Sequence, residues 1–184
     1  MMGRFKFNET KIKGLFVVEI DPFLDERGYF METYNEKDFF KQGLTMKFVQ
    51  TNESKSTKGV LRGLHFQKKF PQGKLVRCIK GEVFDVAVDL RKNSPTFGQW
   101  VGVFLKEDDF KQFYIPQGFA HGFYVLSDVA KFSYSVTEHY NKDDEAGLFW
   151  ADEEVAINWP ILDGQKPILS KKDEINPLLK DLKI

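Results

Sequence analysis

The sequence predicts an all-β domain, built as a barrel or a sandwich, from three observations: period-2 alternation, many short strand-like runs, and close punctuation by glycine, proline, asparagine and aspartate. The alternation is clearest along residues 83–90, where one face is apolar and the other carries two carboxylates. The apolar face consists of Phe84, Val86, Val88 and Leu90, and the second face of Asp85, Ala87 and Asp89. Further runs of this kind lie at 15–20, 28–34, 47–52, 60–67, 74–79, 99–105, 112–115, 122–126 and 131–140.

Helical signals are few and short. Residues 35–43 predict one helix, with Asn35 as the N-cap and Gly43 as the stop. Ser170 and Asp173 form a helix-start signature ahead of Pro177. The sequence contains no linker, internal repeat or low-complexity segment, so residues 1–184 are expected to form a single domain with a substantial core.

Composition and charge exclude several classes of partner. Lysine plus arginine and aspartate plus glutamate number 27 each, so nothing indicates a nucleic acid or an anionic membrane. No apolar run approaches a membrane span, and the charged N-terminal residues cannot hold the apolar region of a signal peptide. We therefore expect a cytoplasmic protein. The single cysteine, Cys78, alternates within its run and is expected to be a small buried hydrophobe.

The segment from Gly59 to Gly81 has the spacing of the first metal-binding motif of cupin barrels, but lacks two of that motif's three ligands. The second histidine of the motif is replaced by Gln67, and its glutamate by Lys74, while His65 is retained. An ammonium group cannot be a metal ligand. We infer a cupin-type jelly-roll barrel with short peripheral helices, in which this half of the site does not hold a metal.

The second cupin motif is also incomplete. Residues 116–121 keep its Pro-x-Gly-x-x-His pattern and end in His121, but Val125 stands where the motif has asparagine. Two of four ligand positions therefore survive, which is too few for a closed metal site. A histidine and a lysine on adjacent strands instead offer a base and a fixed positive charge. Together they suit removal of a proton next to a carbonyl, because the ammonium stabilises the enolate oxygen, and no redox cofactor is required.

Seven blocks of the chain, in order between about residues 15 and 177, resemble those of the dTDP-4-dehydrorhamnose 3,5-epimerase family. They are residues 25–32, 48–52, 61–67, 72–77, 84–91, 94–100 and 116–123. The resemblance implies a dTDP-4-keto-6-deoxy sugar as substrate and epimerisation at the two carbons that flank the C4 ketone. It also implies a metal-free, cofactor-free homodimer that acts in deoxysugar biosynthesis.

The resemblance assigns roles to four residues. His65 matches the general base, Asp173 the carboxylate that orients it, Tyr134 the acid on the opposite face, and Lys74 is expected to face the reacting oxygen. From the residues alone two choices stay open. Asp173 could merely complete a capping box with Ser170. The acid could equally be another of the tyrosines, namely Tyr140, Tyr114 or Tyr124.

A larger set is expected, by the same resemblance, around the nucleotide and the sugar: Arg27, Glu32, Gln50, Asn52, Arg62, Lys74, His121, Tyr140, Glu145 and Lys172. Arginines suit a diphosphate because their planar fork pairs with two oxygens at once. The spacing of Arg62 and His65 raises one difficulty. Side chains alternate between the two faces of a strand, so residues an odd number apart point to opposite faces. Both can reach one cavity only if the strand bulges or ends near Gly63.

Three rival hypotheses remain at this point. A related enzyme that inverts one carbon, or isomerises the ketone, reuses the same base and donor. A non-catalytic cupin would only bind a sugar or a nucleotide. A metal-dependent cupin isomerase or dioxygenase is the third, and it is the hardest to reconcile with Gln67 and Lys74.

Overall fold

The structure is a computed structural model that describes residues 4–161 and 164–184. Thirteen strands and one α-helix are defined among these residues. The strands are β1 Phe5–Glu9, β2 Phe16–Ile20, β3 Phe23–Asp25, β4 Gly28–Phe30, β5 Gln50–Thr57, β6 Leu61–Gln67, β7 Lys74–Lys80, β8 Glu82–Asp89, β9 Trp100–Lys106, β10 Lys111–Ile115, β11 Phe119–Val125, β12 Val129–Val136 and β13 Glu145–Gly147. The helix α1 spans Glu36–Lys41, and two 3₁₀ helices span Asp173–Ile175 and Leu179–Asp181.

Two antiparallel sheets form the barrel. The first has the strand order β1-β2-β10-β7-β12-β5, and the second has the order β13-β6-β11-β8-β9. A separate two-stranded sheet pairs β3 with β4. From β5 to β8, and again from β9 to β13, consecutive strands alternate between the two sheets, as in a jelly roll. The all-β, cupin-type prediction is confirmed.

The main core lies between the two sheets, where Val76, Phe113 and Phe132 of the first sheet pack with Ala87 and Phe123 of the second. Strand β8 is buried on both of its faces, so the face of Asp85 and Asp89 is polar without being exposed to solvent. Alternation predicted the composition of that face correctly. It could not show that the second face points into the barrel, where each carboxylate needs a partner.

Each sheet is covered on its outer side by a peripheral segment. Helix α1 packs Phe39 against β1, with the rings of Phe7 and Phe39 edge to face at 4.9 Å. As predicted, the side chain of Asn35 caps this helix by accepting from the Lys37 backbone N–H, and Gly43 ends it at φ +78°. The C-terminal segment covers the second sheet, and Leu179 packs in the cluster that contains Phe84, Val86 and Val88.

Several predicted strands end at a different residue in the structure. Strand β12 stops at Val136 because its neighbours β5 and β7 begin at the residues opposite it, Gln50 and Lys74. The run predicted to residue 140 therefore overshoots, and the run 28–34 shrinks to a short hairpin strand. Strands β1, β3 and β13 were missed. No helix among the described residues is long and apolar enough to cross a membrane.

Candidate active site

A cavity of about 390 Å³ opens at one end of the barrel, between the two sheets. Strands of both sheets contribute its walls. Nine of the residues predicted for the site line it: Gln50, Asn52, Arg62, His65, Lys74, His121, Tyr134, Tyr140 and Glu145. Residues that are far apart in sequence therefore converge, because β6 and β11 of one sheet face β7 and β12 of the other.

His65 is paired with a buried carboxylate. Its Nε2 lies 2.6 Å from Oδ1 of Asp173, whose side chain is only 3% exposed. Burial opposes ionisation of Asp173, but the hydrogen bond and charge of His65 outweigh it and lower the pKa of the carboxyl group. The backbone N–H of Asp173 also donates to Ser170 Oγ at 3.2 Å. Capping is thus present, but the carboxylate itself contacts the imidazole and does not merely complete a capping box.

The C-terminal segment that carries Asp173 is held at both ends. Before it, Ile168 forms a parallel bridge with Val60, and its N–H donates to Gly59 O at 2.8 Å. After it, the Phe149 N–H donates to Pro177 O at 2.8 Å. These backbone contacts fix the segment against β6, so the position of Asp173 depends on tertiary docking rather than on its short 3₁₀ helix.

A bulge in β6 resolves the parity problem of Arg62. His65 faces His121 across the ladder, whereas Arg62 faces Phe123, so β6 contains one more residue than β11 between these pairs. Gly63 occupies the bulge at φ +120°, and a Cβ there would lie 2.6 Å from Gly122 Cα. The predicted bulge is confirmed. Arg62 reaches the exposed rim of the cavity, where its Nε donates to Ser56 Oγ at 2.9 Å.

Lys74 lies deep in the cavity and is 7% exposed. Its Nζ donates to the backbone oxygen of His65 at 3.3 Å, so the ammonium lies beside the strand that carries the base. Burial lowers the pKa of Lys74 from 10.5 to about 8, against the opposing effect of Asp85 and Glu145. Lys74 is therefore charged at neutral pH and loses that charge a short way above it.

His121 is also paired with a buried carboxylate. Its Nε2 lies 3.0 Å and 2.9 Å from the two oxygens of Asp85, which is fully buried in β8. Burial lowers the pKa of the imidazole and raises that of the carboxyl, while their mutual attraction opposes both shifts. The sequence identified His121 by its motif. It gave no sign that Asp85 is the partner, because 36 residues separate the two.

The positions of the tyrosines separate the four alternatives. Tyr134 lines the cavity and is half-buried; burial raises the pKa of its hydroxyl, and Arg62 opposes that rise. Tyr114 packs in the outer cluster with Phe39, and Tyr124 does not line the cavity. Tyr140 lies at the rim and is 51% exposed. Tyr134 is therefore the tyrosine placed inside the cavity, and Tyr140 the one at its entrance.

Residues 9–181 match the family model described as dTDP-4-dehydrorhamnose 3,5-epimerase. The chain belongs to this family. The enzyme of that name from Methanothermobacter thermautotrophicus is 52% identical over 172 residues, which make up 94% of this chain and 93% of the relative. The enzyme from Shigella flexneri is 54% identical over 167 residues, or 90% of this chain and 91% of the relative. The crystal structure of the Legionella pneumophila dTDP-6-deoxy-D-glucose-3,5-epimerase, in complex with dTDP-4-keto-L-rhamnose, matches with a TM-score of 0.93 at 48% identity, over 97% of this chain and 95% of that chain.

The rim of this epimerase is organised by Gln67, which occupies the position of the second cupin histidine. Its amide nitrogen donates to the backbone oxygens of Phe70 and His139 at 2.7 Å and 3.2 Å, and its oxygen accepts from the Asn141 N–H at 2.8 Å. Where a metal cupin has a ligand, this chain therefore has a buried amide that fixes the loop carrying Tyr140.

A polar chain then continues around the rim. Gln50 accepts from the Tyr140 backbone N–H at 3.1 Å and donates to Asn52 at 2.7 Å. The Tyr140 hydroxyl donates to Glu145 at 3.2 Å, and Lys172 forms an ion pair with the same carboxylate at 2.5 Å. This ion pair joins the cavity wall to the C-terminal segment that holds Asp173.

Four predicted site residues do not line the cavity. Asp173 and Lys172 contact residues of its wall, whereas Arg27 and Glu32 lie elsewhere on the epimerase. Arg27 lies on the exposed β3–β4 hairpin and pairs with Asp25. Glu32 lines a separate surface depression together with Phe23 and Phe30. Their assignment to substrate binding stays a prediction.

The donors in the cavity do not fit a divalent metal. Only two histidines remain of the four cupin ligands, Gln67 is held by backbone groups, and a buried ammonium would repel a cation. Among residues 4–161 and 164–184, no three histidine, cysteine, aspartate or glutamate side chains cluster as a metal site would require. No step of the chemistry is therefore assigned to a metal.

Proposed function

We propose that this epimerase inverts C3 and C5 of dTDP-4-dehydro-6-deoxy-D-glucose, which gives dTDP-4-dehydro-L-rhamnose for dTDP-rhamnose biosynthesis. The observation that carries the mechanism is the convergence, in one cavity, of the His65–Asp173 pair, the buried ammonium of Lys74 and the hydroxyl of Tyr134. These groups supply a base, a stabiliser of negative charge and a second proton donor.

His65 acts as the base in this proposal. Because its Nε2 contacts Asp173, that nitrogen carries the proton and Nδ1 is left to accept one. Removal of a proton from the carbon next to the C4 ketone leaves the imidazole positively charged. Asp173, which is buried and ionised, then stabilises the imidazolium and keeps the ring oriented.

Lys74 stabilises the enolate. When the C–H bond breaks, its electron pair forms a C=C bond and negative charge develops on the C4 oxygen. A buried ammonium beside His65 can meet that oxygen without reorganisation, and such contacts typically lower a barrier by about 3–4 kcal/mol.

Tyr134 supplies a proton from the opposite face. A base that returns its own proton restores the original configuration, so inversion needs a second donor. Tyr134 lies on β12 of the first sheet, whereas His65 lies on β6 of the second, so the two side chains enter the cavity from opposite walls. Repetition of this sequence at the second flanking carbon gives the double inversion.

The rim residues hold the nucleotide in this proposal. Arg62 offers a planar fork to the diphosphate, and the exposed ring of Tyr140 offers a surface on which a base can stack. Gln50, Asn52, Glu145 and Lys172 provide hydrogen-bonding groups around them. His121 completes the wall next to the sugar.

We also propose a homodimer of single-domain subunits. The β3–β4 hairpin exposes Phe23, Leu24, Tyr29 and Phe30, which is a large apolar surface for so short an element. A second subunit would cover it and could bring Arg27 and Glu32 to the partner's cavity. Light scattering of the purified protein tests the assembly, and Arg27→Ala should then raise KM for the nucleotide sugar. The cytoplasmic location expected from the sequence stays a prediction.

One experiment separates this function from its rivals. The enzyme is incubated with dTDP-4-dehydro-6-deoxy-D-glucose in heavy water, and the product is analysed by NMR. Deuterium at both flanking carbons with inversion is the expected result. Deuterium at one carbon would indicate a mono-epimerase. A ketone moved to another carbon would indicate an isomerase, and the absence of deuterium would indicate a protein that only binds the sugar.

A further inference from the structure

The carboxylate of Asp85 is buried behind the cavity without being part of its wall. Buried carboxylates are rare unless they are paired, and Asp85 meets this requirement with a single imidazole, since both of its oxygens lie 2.9–3.0 Å from His121 Nε2. A fully buried carboxyl group that contacts a residue of the cavity wall calls for a role beyond packing.

The geometry restricts His121 in two ways. An ionised Asp85 can only accept hydrogen bonds, so in that state Nε2 of His121 carries the proton and Nδ1 is the nitrogen available to the cavity. The ring also lies roughly parallel to that of Phe132, with a centroid distance of 6.1 Å and an interplanar angle of 20°. Together these contacts fix both the plane and the tautomer of His121.

The same carboxylate lies behind the part of the cavity that buried Lys74 shares with His121, since both side chains line the cavity and Asp85 bonds His121. Burial lowers the pKa of Lys74 to about 8, and the negative charge of Asp85 opposes this shift. Glu145 is engaged at the rim by Lys172, whereas Asp85 lies in the interior, where solvent screens charge least. The charged and titratable groups that share the cavity with Lys74 or act on it are Asp85 on β8, Glu145 on β13, Arg62 and His65 on β6, His121 on β11, Tyr134 on β12 and Tyr140 at the rim.

We propose that Asp85 is a positioning residue for the epimerisation, which holds His121 in one orientation and keeps Lys74 in its ammonium form. It touches neither the substrate nor the reacting atoms and acts through these two side chains. The part concerning Lys74 rests on the proposed function, because only a charged Lys74 stabilises the enolate.

Asp85→Asn tests the charge while keeping the shape. The amide oxygen can still accept from His121, so the fold loses little volume and keeps one hydrogen bond. Without the negative charge, the pKa of Lys74 should fall below its wild-type value of about 8. Activity requires protonated Lys74, so the alkaline limb of the kcat profile should move to lower pH. A fall of one pKa unit reduces kcat on that limb about tenfold.

Asp89→Asn is the matched control. Asp89 lies on the same strand and the same face and is equally buried, but it accepts hydrogen bonds from Arg91, Ser94 and Thr96 and does not line the cavity. Neutralising it should lower stability without moving the alkaline limb. A shift of equal size in both variants would mean that general destabilisation, and not the position of Asp85, causes the effect.

Asp85→Glu covers the case in which Asp85→Asn does not fold. It retains the charge but displaces the carboxylate by one methylene, so the alkaline limb should stay at its wild-type pH while KM rises because His121 is displaced. A limb that moves to lower pH despite the retained charge would overturn the role assigned to that charge.

The measurements are kcat and KM between about pH 6 and pH 10, together with an NMR titration of lysine labelled with ¹³C at Cε, in protein without substrate. The NMR titration does not depend on the proposed function. If the pKa of Lys74 is unchanged in Asp85→Asn while the wild-type enzyme is active, the role assigned to Asp85 is wrong but the proposed function stands. A lowered pKa of Lys74 in a protein that does not exchange deuterium would instead count against the proposed function.

Discussion

The Nε2 atom of His65 lies 2.6 Å from Oδ1 of Asp173, although 108 residues separate them in the chain. His65 belongs to an inner strand of the barrel, and Asp173 to the segment that follows the last strand. The contact therefore links the orientation of the proposed base to the docking of the C-terminal segment. Ile168 and Pro177 hold that segment through backbone hydrogen bonds on either side of Asp173.

His65→Asn should abolish both turnover and deuterium exchange. The amide retains a donor for Asp173, so the buried carboxylate keeps a partner, but it cannot take a proton from carbon. Loss of a general base costs about 10²–10⁴ in rate. The measurement is exchange at the flanking carbons, followed by NMR in heavy water. Calorimetric binding of dTDP is the control, and it should change little; exchange at the wild-type rate would remove His65 from the role of base.

Asp173→Asn should reduce kcat less than loss of the base itself does. The asparagine can still occupy the site, but it no longer stabilises the imidazolium, and loss of such a supporting group typically costs about 10- to 100-fold. Ser170→Ala is the matched control because it removes the hydroxyl that accepts from the Asp173 backbone N–H and leaves the carboxylate beside His65. If the two variants lose the same small amount of kcat, Asp173 acts through capping and not through His65.

The fold could be predicted largely from local sequence. Period-2 alternation identified the long strands, and the parity of Arg62 and His65 correctly required a bulge near Gly63. The short strands β3 and β13 were missed because three residues contain too little alternation to detect. The residue at which β12 ends could not be predicted from the local sequence either, because it depends on where its neighbours β5 and β7 begin.

The site was predictable where a residue belongs to a motif, and not where its role depends on a distant contact. His65, Lys74 and His121 occupy cupin positions and meet in the cavity. Asp85 was seen only as one polar residue in an alternating strand, because nothing local links it to His121. Gln67 was recognised as a missing metal ligand, but its contact with the loop of His139 and Asn141 required the folded structure.

Lys74→Met should lower activity and stabilise the fold. Loss of the enolate contact should reduce kcat by about 10²–10³, which corresponds to about 3–4 kcal/mol of barrier. Burial holds the pKa of Lys74 at about 8 in the folded state, below the usual 10.5. The charge therefore costs stability below about pH 8, and this cost disappears as the pH rises from about 8 towards 10.5.

The stability of the Lys74→Met variant is measured by urea unfolding at two pH values. At pH 7 the variant should exceed wild type by about 1–3 kcal/mol, because an isosteric apolar side chain replaces a buried charge whose attraction to Asp85 offsets only part of its desolvation. At pH 10 the difference should be smaller. A variant that is less stable than wild type at pH 7 would mean that the ammonium is better compensated than its surroundings indicate.

Exhaustive chelation should leave the epimerase fully active. Two of the four cupin ligand positions hold Gln67 and Lys74, which leaves only two histidines, and the buried ammonium of Lys74 would repel a dication. Activity is measured before and after treatment with a strong chelator, and the metal content is determined by mass spectrometry. Stoichiometric metal whose removal abolishes turnover, and whose return restores it, would contradict this assignment.

Tyr134→Phe should separate proton abstraction from inversion. If His65 removes the proton and Tyr134 delivers one to the other face, the variant can still form the enolate but lacks the second donor. The enolate is then reprotonated by His65 on the original face, or slowly by water. Deuterium exchange without inversion should therefore exceed epimerisation, and the ratio of the two, measured by NMR for the variant and for wild type, is the test.

Tyr140→Phe is the matched control, because it also removes one hydroxyl but does so at the rim, where that hydroxyl contacts Glu145. Its effect should be on KM, with the ratio of exchange to inversion unchanged. If Tyr134→Phe loses exchange and inversion equally, the hydroxyl of Tyr134 is needed to form the enolate or to hold the substrate. Tyr134 would then no longer be the opposite-face acid, and the second proton would have to come from another group in the cavity or from water.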